Sequence, residues 1–342
     1  MAGKIQPAFI RCIISHPFWG PCALMNGVSL TRVRNPGLGP TARATSTLPF
    51  FASIQGFFQM LDAARIAAAQ RTYGLTYHVP YAADAERSVG FAGKTVLEVG
   101  GNLPRGFVLD TLETRRWVAI QELKYYEALA PTASRGVNLG TEKTIPMEAV
   151  RGPEDLADYT VILGGIEAIP TGLHGHFDLI FSIAAFEHIL DLGAALAAMW
   201  AALKPGGVLF SQFSPIWSAH DGHHIPTIVD AHGRTFDFSS SPIPPWGHLL
   251  MRPPQMHSHL LQHTDPATAS KLVHYTYHSP HINRLLCDDF VAYIRSVPFR
   301  GEVRKMFPRP VPEATLATLK RLHPTNSHFD NNGLRLVLRK PE

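Results

Sequence analysis

Residues 177–213 read FDLIFSIAAFEHILDLGAALAAMWAALKPGGVLFSQF, and their punctuation decides the architecture. Phe177–Ile183 is a short apolar run of strand length. Leu192–Leu203 is rich in alanine and leucine, which are strong helix formers. It ends at Lys204-Pro205-Gly206-Gly207, where a basic residue, a proline and two glycines together stop a helix. Val208–Phe213 then returns to a strand pattern. The unit is strand, helix, strand.

The same alternation extends in both directions. Upstream, Lys94–Val99 (KTVLEV) reads as a β-branched strand, followed by Gly100-Gly101 and a helix over about Gly106–Thr114. Trp117–Gln121 and Thr160–Leu163 read as two further strands. Downstream, residues 214–281 break the rhythm and hold eleven of the eighteen histidines. Beyond them we expect a helix over Asn283–Asp289, a strand over Phe290–Val297, a helix near Glu313–Leu322 and a final strand over Leu334–Arg339. Strands alternating with helices imply a doubly wound α/β fold. The expectation is a mostly parallel seven-stranded sheet with an antiparallel edge strand and a His-rich insertion after the fifth strand.

Composition narrows the class. Hydrophobic residues make up 45% of the 342, enough for a normal core. The net charge of +4 is modest and no dense Lys/Arg tract occurs, which argues against a nucleic-acid partner. No stretch of about 18 uninterrupted apolar residues suggests a membrane span. Cys12, Cys22 and Cys287 are too scattered for a disulfide framework or a zinc site, so a reducing, cytoplasmic setting is expected. Residues 1–47, basic and without any acid, read as a flexible leader of the kind that also makes transit peptides. Residues 48–93 read as an N-terminal helical cap, spanning about Leu48–Tyr73, plus a connector. The catalytic domain is expected over 94–342, with its insertion at 214–281.

Two features point to the chemistry. A strand ending in Glu98 and followed by Gly100-Gly101 brings main chain close to a ligand at the carboxyl edge of the sheet, where open α/β folds bind. A Walker loop would need Lys after Gly106, and Phe107 stands there; Gly100, Gly101 and Gly106 also miss the dinucleotide spacing. Glu122, just past the second strand, can accept both hydrogen bonds of a ribose diol.

The block over 177–213, with its Phe-Asp strand start, Glu187-His188 pair and Leu-Lys-Pro-Gly-Gly turn, closely resembles the class I S-adenosylmethionine-dependent methyltransferases of the ubiquinone-biosynthesis-like type. The resemblance covers about residues 94–213 and includes Gly164-Gly165-Ile166-Glu167, similar to the family's adenine-edge loop. It implies a Rossmann-like fold and S-adenosyl-L-methionine as cofactor. It further implies that Glu98, Gly100, Gly101 and Asn102 border the methionine end of the cofactor. Glu122 would hold the ribose, the Ile166 backbone would face adenine, and Ser182 and Ala184 would lie near the sulfonium. Three positions depart from the pattern: Asn102 and Pro104 replace later glycines, and Gly165 replaces an acid. Such departures are what a non-catalytic, cofactor-binding relative would show, and a nicotinamide-dependent oxidoreductase on a similar sheet is the other alternative.

For the methyl acceptor, Ser214–His224 (SPIWSAHDGHH) begins just past the fifth strand, next to the reactive end of such a cofactor. A hydroxyl acceptor must lose a proton as it attacks, and histidine suits that task near neutral pH. His223 or His224 is the expected base, with Asp221 orienting it, and a small molecule or a sugar or glycan is the expected acceptor. His220, His223, His224 and Asp221 are competent metal ligands, but crowding alone makes no coordination geometry, and no metal is expected.

Overall fold

The computed structural model describes residues 63–129 and 144–342. The expected leader over 1–47 and the first part of the helix expected from Leu48 lie outside the described residues. Two helices, α1 (Ala63–Tyr73) and α2 (His78–Val89), precede the sheet. The stretch expected as a plain connector therefore holds a helix. Val79, Ala82, Ala83 and Ala85 form its buried face, and small side chains there allow close approach.

The sheet begins with β1 (Thr95–Val99) and β2 (Arg116–Gln121), followed by α3 (Leu123–Leu129), β3 (Thr144–Pro146) and β4 (Tyr159–Leu163). It continues with β5 (Phe177–Ile183), α4 (Leu192–Ala202) and β6 (Leu203–Phe213). Among the described residues the eight-stranded order is β3-β4-β2-β1-β5-β6, completed by β10 (Asn331–Arg339) and β9 (Arg300–Pro308). The first six run parallel, and β10 is antiparallel to both β6 and β9. The antiparallel strand thus lies inside the sheet, with β9 at the edge. The eighth strand is the three-residue β3.

Alternation along the strands splits the core into two layers. Leu97, Val118, Ile120, Ile162 and Ile180 point to the side of α4 and α8 (Cys287–Ser296). Val96, Trp117, Val161, Leu179 and Phe181 point to the other side, with Val79, Ala82 and Phe107. Every residue of β1 is buried, as expected for a strand covered on both faces. The Phe-Asp and Lys-Pro-Gly-Gly signatures meet physically. Asp178 accepts from the Thr95 N–H at 2.8 Å and from Lys204 Nζ at 2.5 Å, which pins the start of β1 to the start of β6.

Three expected elements differ, the first being the helix expected over Asn283–Asp289, which begins only at Cys287. Phe290–Val297 is not a strand but falls mostly in α8, where Cys287, Phe290 and Ile294 are buried at helical spacing. The Asp289 carboxylate accepts from the Leu286 N–H at 2.9 Å, which closes the helix start. The helix expected over Gly106–Thr114 shrinks to a single π-helical turn, Phe107–Thr111. Thr114 ends it by donating from both N–H and Oγ to the Val108 carbonyl.

The insertion is a cap of its own. It holds the small hairpin β7 (Ile228–Val229) and β8 (Thr235–Phe236), then α5 (Gly247–Leu250), α6 (Pro253–Leu260) and α7 (Pro266–Tyr277). Ile225, Ile243, Met256, Leu260, Leu272 and Tyr275 give it a separate core. The remaining helix, α9 (Glu313–Leu322), has the bounds read from sequence and packs through Leu319 against Trp246 and Phe329.

Candidate active site

The carboxyl ends of the parallel strands form two poles. At the first, Gly100 adopts φ +88, and a Cβ there would stand 2.3 Å from the Cβ of Ala185. Glycine is demanded twice, by conformation and by the approach of the turn after β5. Ala184 in that turn holds φ 50, a strained value for a residue with a side chain. Glu98 is buried, and its carboxylate accepts from the Leu103 N–H at 3.0 Å and from Trp117 Nε1 at 2.7 Å. Burial still pushes its pKa up to about 7. Glu98 therefore ties the 100–103 turn back under the strand. Ser182 is likewise committed, its Oγ donating to the Val99 carbonyl at 2.9 Å. Asn102 sits half-buried in the turn. The Pro104 carbonyl accepts from Phe107 and Val108. Pro104 thus precedes a helical turn, where a missing N–H is not required.

Glu122 follows β2, and its carboxylate accepts from the Lys124 N–H at 3.1 Å. It faces Gly165 beyond β4, where an added Cβ would stand 2.8 Å from Glu122 Oε2 and 2.4 Å from Glu167 Oε2. The space a residue-165 acid would fill is taken by these two carboxylates. Burial and the nearby Glu122 and Asp191 raise the pKa of Glu167. Two facing acids repel each other unless a donor-rich group lies between them. A ribose diol or an exocyclic amine is such a group, so these residues fit an adenosine-bearing cofactor. Ile166 turns its side chain into the core and leaves its backbone at this edge.

The second pole lies past β5 and β6. Glu187 and His188 sit on a short 3-10 turn, and His224 comes from the loop beyond the cis Ser214-Pro215 bond. One ligating atom of each of the three lies within 4.8 Å of the others. The His188 ring lies 4.8 Å from that of His224 and 4.5 Å from that of Tyr125. Glu187 is buried and its pKa is pushed up to about 8 by that burial. Tyr81, from α2, stands close to both Glu187 and Ser214; burial, reinforced by the Glu187 charge, raises its pKa to about 12.

The 220–224 loop does not act as one unit. His224 lies at the second pole, whereas His223 is buried in the cap, with Nε2 3.2 Å from Ser241 Oγ and its pKa far below normal because of burial. Asp221 reaches neither ring as an orienting partner. Its Oδ1 lies 3.4 Å from His220 Nδ1, and it hydrogen-bonds Asn332, while burial lifts its pKa to about 6. His220 in turn is 2.6 Å from Arg309, and burial with that charge drives its pKa down to about 4. Of the loop's candidates, His224 alone joins Glu187 and His188.

Sequence reading left Tyr81, Glu167 and the convergence of Glu187 with His224 unassigned. The Glu187-His188 pair was visible as a motif residue pair. Tyr81 carried no signal, because it lies in a stretch that reads as a connector.

Comparisons with known proteins bear on this arrangement. Residues 134–211 match the methyltransferase domain family. Trans-aconitate 2-methyltransferase of Deinococcus radiodurans is 33% identical over 99 residues, which is 29% of this chain and 36% of that protein. The chain thus spans about a third of the length of that curated relative. Among solved structures, an S-adenosylmethionine-dependent methyltransferase from Mesorhizobium loti aligns over 76% of this chain and 97% of its own, at 12% identity and a TM-score of 0.38. Phosphoethanolamine N-methyltransferase 2 of Haemonchus contortus, in complex with S-adenosyl-L-methionine, aligns over 86% of this chain and 62% of its own, at 13% identity and a TM-score of 0.40. Residues 134–211 are thus similar to the methyltransferase domain family, and the strand order among the described residues is that of a doubly wound, Rossmann-like sheet. No helix among the described residues is long and apolar enough to cross a membrane.

Proposed function

We propose that the protein transfers a methyl group from S-adenosyl-L-methionine to a hydroxyl of a small molecule or sugar. The domain runs over 94–342, with 214–281 as the cap on the acceptor. The cofactor, when bound, supplies an electrophilic methyl on a sulfonium. Glu122 accepts the ribose hydroxyls, the Ile166 backbone and Glu167 face the adenine, and Gly100, Gly101, Asn102 and Ala184 admit the methionine end. The acceptor lies over the second pole. Its proton leaves through the Glu187–His188–His224 cluster, to which His224 is the contribution of the 220–224 loop. The cap and Tyr81 exclude water, which strengthens each charge interaction beneath them.

The observation that carries this reading is the pair of carboxylates, Glu122 and Glu167, facing across Gly165 beside the bare Gly100 turn. Titration with S-adenosylhomocysteine by calorimetry tests it without knowledge of the acceptor. Micromolar binding that weakens at least tenfold in Glu122→Ala is expected. Absence of binding at millimolar ligand would leave a non-catalytic relative of the fold.

A further inference from the structure

Glu187 is an expensive residue. Its carboxylate is buried, and neither oxygen has a hydrogen-bond partner of normal geometry. A buried carboxylate without partners costs several kcal/mol in the ionised form, at an order of magnitude, unless a cation or a proton compensates it. Two imidazoles stand beside it. His188 Nδ1 lies 2.6 Å from the His281 carbonyl oxygen, and a carbonyl only accepts, so that nitrogen carries the proton. The lone pair of His188 is therefore on Nε2. His224 repeats the pattern more loosely, with Nδ1 3.4 Å from the Pro215 carbonyl. A backbone carbonyl holding one ring nitrogen is how histidines that ligate metals are usually fixed.

From this arrangement we infer that Glu187, His188 and His224 form a binding site for one divalent cation of the zinc type. The inference rests on reading this pole as the acceptor end and replaces the cluster's part as base there. Residues bound to the ion accept no proton, and the ion would lower the pKa of the acceptor hydroxyl, whose proton passes to solvent. Two imidazoles with one carboxylate select a borderline ion over magnesium or calcium, which prefer all-oxygen shells. The three ligating atoms lie within 4.8 Å of one another. Ligands about 2.1 Å from one ion sit about 3–4 Å apart, so a closure of about 1 Å completes the set. Three protein ligands leave a fourth position, which an oxygen of the acceptor would take. The His281 carbonyl braces the His188 imidazole, and His281 Nε2, 2.9 Å from the His224 carbonyl, holds the His224 main chain. The cap thereby couples its own docking to the site.

The test is calorimetric titration of the chelator-stripped full chain with zinc chloride, with magnesium chloride as the control ion. Surface histidines are the obvious confounder, because the His259 and His263 rings lie 4.8 Å apart on the cap. The titration is therefore repeated in His263→Gln. We expect one stoichiometric zinc site that persists in His263→Gln and weakens at least a hundredfold in Glu187→Gln and in His224→Gln. Cobalt substitution gives a readout that does not depend on the variants folding alike: visible bands of a four-coordinate nitrogen and oxygen site in the parent chain. Zinc binding that survives both cluster variants, or binding no tighter than millimolar in the parent, overturns the site. Titration with S-adenosylhomocysteine on the same samples separates this failure from that of the methyltransferase reading. Loss of zinc with retained S-adenosylhomocysteine binding removes the cation alone.

Discussion

The sheet and the cap of this molecule are built by different rules. In the sheet, ligand-facing positions follow from strand order. The chain leaves β1, β2 and β4 at the same edge, so Gly100, Glu122 and Gly165 converge whatever the loops contain. In the cap, convergence depends on long-range hydrogen bonds. Arg284 alone donates to the carbonyls of Tyr275, Thr276, Ser279 and Ile282, and His281 bridges His188 to His224. The lesson is that the first pole is set by topology, while the second is held by a few polar contacts of the cap. Fold and acceptor then vary independently.

The sharpest way to break the rigid half is Gly100→Ala. The added Cβ meets the fixed Ala185 Cβ at 2.3 Å and must also accept φ +88. Overpacking and the positive φ together cost about 2–4 kcal/mol, read by urea unfolding, with loss of S-adenosylhomocysteine binding. Adding Ala185→Gly should return the steric share, so additive losses in the double variant would place the strain elsewhere.

Next in size is the buried Glu98. Its pKa is raised from the ordinary 4.5 to about 7 by burial. The unfolded chain ionises first as pH rises, so native stability falls between pH 4.5 and 7 and levels off above. The loss is on the order of 3 kcal/mol. Glu98→Gln should remove that slope, so that unfolding measured at pH 4.5 and pH 7.5 gives a variant relatively more stable at the higher pH. An unchanged slope would mean that the carboxylate stays solvated.

For the cap, Arg284→Lys forfeits the fan of carbonyl contacts, since an ammonium cannot reach them all. About 1–3 kcal/mol of stability should go, with faster amide exchange over 275–284 and no change in S-adenosylhomocysteine affinity. A fall in that affinity would show that the two halves are not independent. The smallest effect is expected from Gly165→Ala. Its Cβ meets only the far ends of Glu122 and Glu167, which swing aside. Stability should move by less than about 0.5 kcal/mol while S-adenosylhomocysteine binding weakens several-fold, because the swing displaces Glu122. Gly100 and Gly165 would then mark a hard and a soft wall of one cleft.

How much of this was legible in the sequence follows the same division. Phe177–Ile183 was readable as a continuous apolar run of strand length, and the helix near Glu313–Leu322 by its helical spacing. Run 290–297 misled because Phe290, Val291, Tyr293 and Ile294 look β-prone. The better signal was the spacing of Cys287, Phe290 and Ile294 with acids in the first turn. β9 stayed hidden because it is an edge strand of charged, exposed residues without alternation. At the site, Glu122 and the Gly100 turn were legible because they adjoin strands. His224 was legible only as one of several histidines, since its partners lie on the turn after β5 and in the cap. Nothing local separates it from His223, yet one faces the cluster and the other is buried against Ser241.

The central claim is that one cleft has a cofactor pole fixed by strand ends and an acceptor pole braced by the cap. Hydrogen–deuterium exchange with and without S-adenosylhomocysteine tests it most directly. The account predicts protection over 99–104, 121–124, 164–168 and 184–186, with 228–278 unchanged. Protection concentrated in the cap, with the strand-end turns unaffected, would contradict it.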